Sequence, residues 1–431
     1  MTHHDIRKRL LAALAVFGAL ALASPLAAAT VFINDATVHT MGSQATLQGA
    51  DILVRDGRIR ALGPDLQAPA DATVIEAGGR PVTPGFFAGI TALGLTEIPA
   101  EDSTNDSGLA TEAMRPEFDV SLAYNPNSTA IPVTRIEGYT WTVLGADREG
   151  SIVGGQGRPV ALAGGYTPFL GEPILFLDVG ADASGQSGNS RAAEWMLLEQ
   201  AMGEAQSSDV NWSPAPLLTI AGRRALAGYI DGGTVVFNVD RASDILRVID
   251  FASEHGLRAV ISGGTEAWMV ADQIAESGVP ALLDGLSNLP VDFDEVGARL
   301  DNAALLNRAG VTVAFTGAGT QHARKLRQAV GNAVANGLPW EAGLAALTVN
   351  PARIFNLGDG AGTLEVDGPA DLVLWSGDPL EVTTAADQVM IGGELIEMVS
   401  RQTLLRDRYL PEHPKMPRAY IKPAGVAGKE P

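Results

Sequence analysis

The stretch Thr234–Gly264 reads TVVFNVDRASDILRVIDFASEHGLRAVISGG. Val235–Val239 and Ala259–Ser262 are short runs rich in β-branched residues, the composition of buried strands. Between them Ser243–His255 carries a helical pattern closed by Gly256, a residue suited to the left-handed turn that ends a helix. Strand, helix and strand in that order imply a parallel pair joined by a crossover helix. The alternation continues on both sides: Thr140–Leu144, Ala281–Leu283 and Thr312–Thr316 read as strands, and Ala267–Ser277 as a helix closed by Gly278. More than five such units in ~250 residues predict an α/β fold, a (β/α)8 TIM-like barrel spanning 81–360, in preference to an open sheet.

Outside the barrel the pattern changes to short strands and turns. Val31–Ile33, Asp51–Val54 and Arg58–Leu62, the last two joined by an Asp56-Gly57 turn, precede it; Ala370–Trp375, Gln388–Ile391 and Glu394–Met398 follow. Neither group is large enough to bury its apolar face alone, so 30–80 and 361–400 are expected to form one small composite β-sandwich. Residues 401–431, with Pro411, Pro414, Pro417 and Pro423, read as an extended tail. Asp178–Asn189 reads as a mobile loop. Gly154–Gly157 and Gly317–Thr320 lack the strand-to-helix context of a phosphate-binding loop and read as turns.

With 46% apolar and 19% charged residues in 431, the chain has ample material for a core, and disordered or fibrous classes are excluded. A net charge of −20 argues against nucleic acid or an anionic membrane surface as partner. There is no cysteine, which removes disulfides, thiolate metal sites and cysteine nucleophiles together. Arg7-Lys8-Arg9, the apolar run Leu10–Ala23 and Ala27-Ala28-Ala29 follow the order of a removable secretory signal over 1–29. The expected location is periplasmic or secreted, with no stable membrane insertion after cleavage.

A set of motifs then resembles the amidohydrolase superfamily, in particular its imidazolonepropionase-like branch. They are Gly79–Phe86 ahead of the first barrel strand, Arg241–Leu246, Gly264-Thr265-Glu266-Ala267, Val349–Ile354 and the pair Gly362–Leu364 and Ala370–Pro379. Each has a structural reading as well: Pro351 suits the first turn of a helix capped by Asn350, and Glu266 the start of the helix that follows it. The resemblance implies metal-dependent hydrolysis of C–N bonds in non-peptide compounds and dipeptides, with zinc or another divalent ion activating water. The ligands would lie at the C-terminal ends of the barrel strands.

Aligned on those motifs, the ligand positions fall on Ile90 and Ala92 after the first strand, Asn238 within Phe237–Asp240, Gly263 within Ser262–Glu266 and Gly317 within Phe315–Ala318. None carries an imidazole or carboxylate, and the expected cofactor is none. Of the histidines beyond the signal, His39, His255 and His413 read as structural or surface residues, whereas His322 follows a barrel strand on the face where such enzymes work. Asp240, Glu266 and His322, with Asp284 nearby, are the candidates for a rebuilt site; Asp240 and Glu266 also read as scaffold, and a lone loop histidine as solvated.

Two readings follow. In one, the protein is a non-catalytic subunit that binds a small-molecule ligand, or pairs with itself or with an active relative. In the other, it is an active hydrolase of small amide or peptide-like substrates with a remodelled site.

Overall fold

The computed structural model describes residues 30–209, 212–286, 288–317 and 319–409; the candidate signal, His413 and the distal tail lie outside the described residues. Val31–His39 (β1), Thr46–Arg55 (β2), Arg58–Gly63 (β3), Thr73–Glu76 (β4) and Pro81–Pro84 (β5) open the chain. The barrel strands are Phe86–Thr91 (β6), Tyr139–Leu144 (β7), Val153–Gly157 (β8), Ile174–Asp178 (β9), Thr234–Val239 (β10), Arg258–Gly263 (β11), Ala281–Leu283 (β12) and Val313–Phe315 (β13). Leu372–Trp375 (β14), Ala386–Ile391 (β15) and Glu394–Leu395 (β16) close it.

The barrel is TIM-like. Strands β6 and β7 pair in parallel, and β9 to β13 form a continuous parallel run. The wall between the two groups is the segment 153–161, whose Pro159–Ala161 pairs antiparallel with β7 and whose β8 pairs antiparallel with β9. This corrects the reading of Gly154–Gly157 as a turn. Its glycines are there for space: a Cβ on Gly157 would stand 1.8 Å from the Leu144 carbonyl oxygen, and one on Gly155 2.7 Å from that of Phe118. Between β13 and β6 the contact runs through side chains, Ile90 N donating to Thr316 Oγ1 at 3.0 Å and Ala92 N to Thr320 Oγ1 at 2.8 Å.

Two apolar layers follow from the period of two along each strand. One set of side chains faces the barrel interior, where Phe87, Trp141, Phe176, Val236, Val260 and Leu282 pack together. The other set packs outward on the helices, among them Arg191–Gln206 (α1) and Ala242–His255 (α2). Helix α2 ends on Gly256 at φ 65°, and the turn-and-helix segment Ala267–Ser277 ends on Gly278 at φ 72°.

The first and last strands share one eight-stranded sheet in the order β16-β15-β14-β5-β1-β2-β3, with β4 also on β1. It changes partner at Asp35, whose φ of 53° interrupts β1 between its pairing with β4 and its pairing with β5. Ile33, Ile52, Ile59, Leu372 and Met390 form a separate core for it.

Arg327, only 4% exposed, joins this sheet to the barrel. Its guanidinium donates to the carbonyls of Pro379, Glu381 and Thr384 and lies over the Trp375 ring, while its backbone N donates to Tyr139 Oη.

Three local expectations are corrected. Asp178–Asn189 is mostly helical turn, Ala181–Ser184 and Gly185–Ser187, because the small residues close successive turns before Ser190 caps α1. Asn350 lies inside the helix Val349–Ile354, and its Nδ2 donates to Val313 O rather than capping. Arg401–Tyr409 is a helix, not extended chain: the first proline comes only at 411, and Ser400 and Thr403 exchange hydrogen bonds at its start.

Candidate functional site

The C-terminal ends of the parallel strands put Ile90, Asp178, Asn238, Gly263, Asp284 and Gly317 around one face of the barrel. Ile90 and Ala92 pack against the apolar interior rather than projecting a polar group. Asn238 donates from Nδ2 to Asp178 Oδ1 at 3.1 Å, its neighbour on the adjoining strand. Gly263 stands at φ 94°, and a Cβ there would meet Asp240 Oδ1 at 2.7 Å, so the room of a larger side chain is taken by the aspartate. Gly317 is half-buried.

Asp240 and Glu266 are occupied with backbone. Asp240 Oδ1 accepts from Thr265 N at 3.1 Å and from Thr265 Oγ1 at 2.6 Å. Burial pushes its pKa up, and those two bonds work against the shift. Glu266 Oε2 accepts from Ala242 N and Oε1 from Gly297 N, both at 3.1 Å. It therefore caps α2, the helix before it in sequence, and not the turn that follows; its carboxylate complements the positive end of that helix. His322 is exposed, in the turn Thr320–Lys325. Asp284 accepts from Leu286 N at 2.9 Å. Among the described residues the ligand atoms of Asp240, Glu266 and His322 are not gathered into one metal-holding group.

Beside these lies a charged cluster that the sequence did not single out. Arg191, on the first turn of α1, bridges Asp244 at the start of α2 and Asp294 in the segment after β12. Glu194, one turn further along α1, is fully buried; its Oε2 accepts from Gly180 N at 3.1 Å and its Oε1 has no hydrogen-bond partner among the described residues. Burial, reinforced by the Asp244 and Asp294 charges and opposed by Gly180 N and Arg191, pushes its pKa up to about 7. Ser190 followed by an arginine and a glutamate signals a helix start, but nothing local in the sequence marks that glutamate as buried.

Part of the sequence and the shape each resemble known amidohydrolases. Residues 216–396 match the amidohydrolase family profile. A 57-residue stretch is 42% identical to the amidohydrolase tasK of Hapsidospora irregularis, covering 13% of this chain and 6% of that protein's length. The structure superposes on an amidohydrolase from Thermotoga maritima MSB8 with a TM-score of 0.74 at 24% identity, covering 85% of this chain and 99% of the other.

Residues 216–396 thus carry the amidohydrolase family match, and the fold of the whole chain is that of an amidohydrolase barrel. A molinate hydrolase shares the fold more distantly, with a TM-score of 0.53 at 15% identity over 94% of this chain and 100% of its own.

In this chain the one group of three metal-capable side chains among the described residues lies away from the barrel mouth: Glu199 on α1 with Glu254 and His255 on α2. No helix among the described residues is long and apolar enough to cross a membrane.

Proposed function

We propose that this chain is an exported, non-catalytic member of the imidazolonepropionase-like branch, which keeps the amidohydrolase barrel as a scaffold for a small-molecule ligand or a partner subunit, itself or an active relative. One observation carries the reading. The five strand-end positions at which relatives would hold a divalent ion are Ile90, Ala92, Asn238, Gly263 and Gly317, and of these only Asn238 has a donor atom. That amide is engaged with Asp178. Such an ion needs three or more nitrogen or oxygen ligands, so this set does not fit one, and no hydrolytic step is derived through it. Export rests on the basic, apolar and small-residue order of 1–29.

The second reading, a hydrolase of small amide or peptide-like substrates whose remodelled site draws on Asp240, Glu266 and His322, is supported by Asp240, a carboxyl group near the barrel mouth whose proton affinity burial has raised.

Metal analysis of the exported protein after dialysis against a chelator separates the two. The non-catalytic reading expects well under one tightly held ion per chain, with stability unchanged in His322→Ala. A stoichiometric ion lost in His322→Ala, together with amide or dipeptide hydrolysis lost in the same variant, would overturn it.

A further inference from the structure

On the outer surface of the barrel, α1 and α2 pack side by side, and their facing side chains gather Glu199, Glu254 and His255. One ligand atom from each lies within 4.8 Å of the others. His255 Nε2 is 3.0 Å from Glu199 Oε2. We infer that this helix pair is a divalent-cation site, separate from the barrel mouth, that takes a borderline ion of the zinc class through the His255 imidazole and the Glu199 and Glu254 carboxylates.

Four observations support the assignment. The imidazole is pre-oriented: its side chain is 12% exposed and its ring lies 4.6 Å from that of Phe251, which holds Nε2 toward Glu199. One nitrogen with two carboxylate oxygens is a donor set that zinc accepts, with water completing the tetrahedron. Glu254 and His255 occupy the last turn of α2 before Gly256, where unpaired carbonyls make the end of the helix attractive to a cation. Finally, a cation already sits there. Arg247 places Nη2 3.1 Å from Glu199 Oε1 and Nη1 3.6 Å from Glu254 Oε1.

Arg247 is a competitor with somewhere else to go. Its guanidinium lies 5.5 Å from the centre of the Trp195 ring, a face that can hold a cation without either carboxylate. Binding a metal therefore exchanges one positive group for another between the same oxygens. Because α2 runs back from the mouth, its last turn lies at the opposite end of the barrel, and the site does not depend on whether the barrel is catalytic.

The test is a calorimetric titration of the chelator-dialysed full chain with zinc chloride, alongside thermal melts with and without zinc. The expectation is one zinc per chain, held reversibly, with a raised melting temperature. Glu199→Gln and His255→Gln should each weaken binding by about tenfold or more. Arg247→Gln should tighten it several-fold, an outcome a purely structural ion-pair network does not give and one that does not require a destabilised variant. No zinc binding, binding unchanged in Glu199→Gln, or weakened binding in Arg247→Gln would overturn the assignment. Binding that instead followed His413→Asn would place the ion on the tail and overturn it as well. Binding that followed His322→Ala would overturn it and count against the non-catalytic barrel, whereas loss confined to Glu199 and His255 variants leaves that reading intact.

Discussion

Asn238 and Asp178 stand side by side on adjacent parallel strands, the amide of one donating to the carboxylate of the other across 3.1 Å. The Asn238 side chain is thus used to hold a neighbouring side chain. On the proposed non-catalytic reading, placing an imidazole here should bring in no metal. Asn238→His supplies a single ligand where three or more are needed, and it takes an amide donor away from Asp178. Metal analysis should find the content of the dialysed variant equal to the wild type, with a loss of stability of about 1 kcal/mol in urea unfolding. Stoichiometric metal in the variant would show that the remaining ligands are in place.

Arg327→Met keeps the length and the packing on Trp375 while removing the donors to the buried carbonyls of Pro379 and Thr384 and the part-buried carbonyl of Glu381. Carbonyls stranded without partners cost far more than the net worth of the bonds that satisfied them. The expected loss is about 3–5 kcal/mol, read as a lower urea midpoint. A change below ~1 kcal/mol would mean that water reaches those oxygens.

The pairing of β14 with β5, and of β5 with β1, places C-terminal strands beside N-terminal ones in one sheet. Deleting 361–431 removes Leu372, Val373 and Leu374 from that sheet and leaves the edge of β5 with unpaired backbone and bare apolar side chains. The truncated chain should aggregate or be digested rapidly by protease. A monomeric, protease-resistant product would show that 30–360 folds without the C-terminal strands.

Elements with a strong side-chain period were legible: the β10-α2-β11 unit of the barrel follows from β-branched strands and a glycine-ended helix. What was not legible depends on partners distant in sequence. Gly154–Gly157 form a strand because the Leu144 and Phe118 backbones press against them, and a glycine run alone signals a turn. Glu266 could be read as a helix-capping acid, but the capped helix lies behind it in sequence, and only the parallel pairing of β10 and β11 brings it there. That Ile90, Ala92, Asn238, Gly263 and Gly317 carry no imidazole or carboxylate is plain from the sequence, since that is a matter of side-chain chemistry. The burial of Glu194 had no such signal.

Glu194 gives the protein a pH dependence of a definite sign. Burial raises its pKa from 4.5 to about 7 in the folded chain, while the unfolded chain keeps the ordinary value. Between those limits the folded state binds the extra proton, so the stability tied to this group is fully present below the unfolded pKa and is lost as the pH rises through about 7. Glu194→Gln mimics the protonated acid, retains an oxygen to accept from Gly180 N and cannot ionise beside Asp244 and Asp294. The variant should match the wild type near pH 4 and be more stable at pH 8 by roughly 1–3 kcal/mol, measured by urea unfolding at both values. Arg191 keeps its two aspartate partners in either case, so the difference isolates the glutamate charge. A variant less stable at pH 8 would mean that the ionised carboxylate is the form the fold is built around, and an offset equal at both pH values would assign the effect to packing instead of protonation.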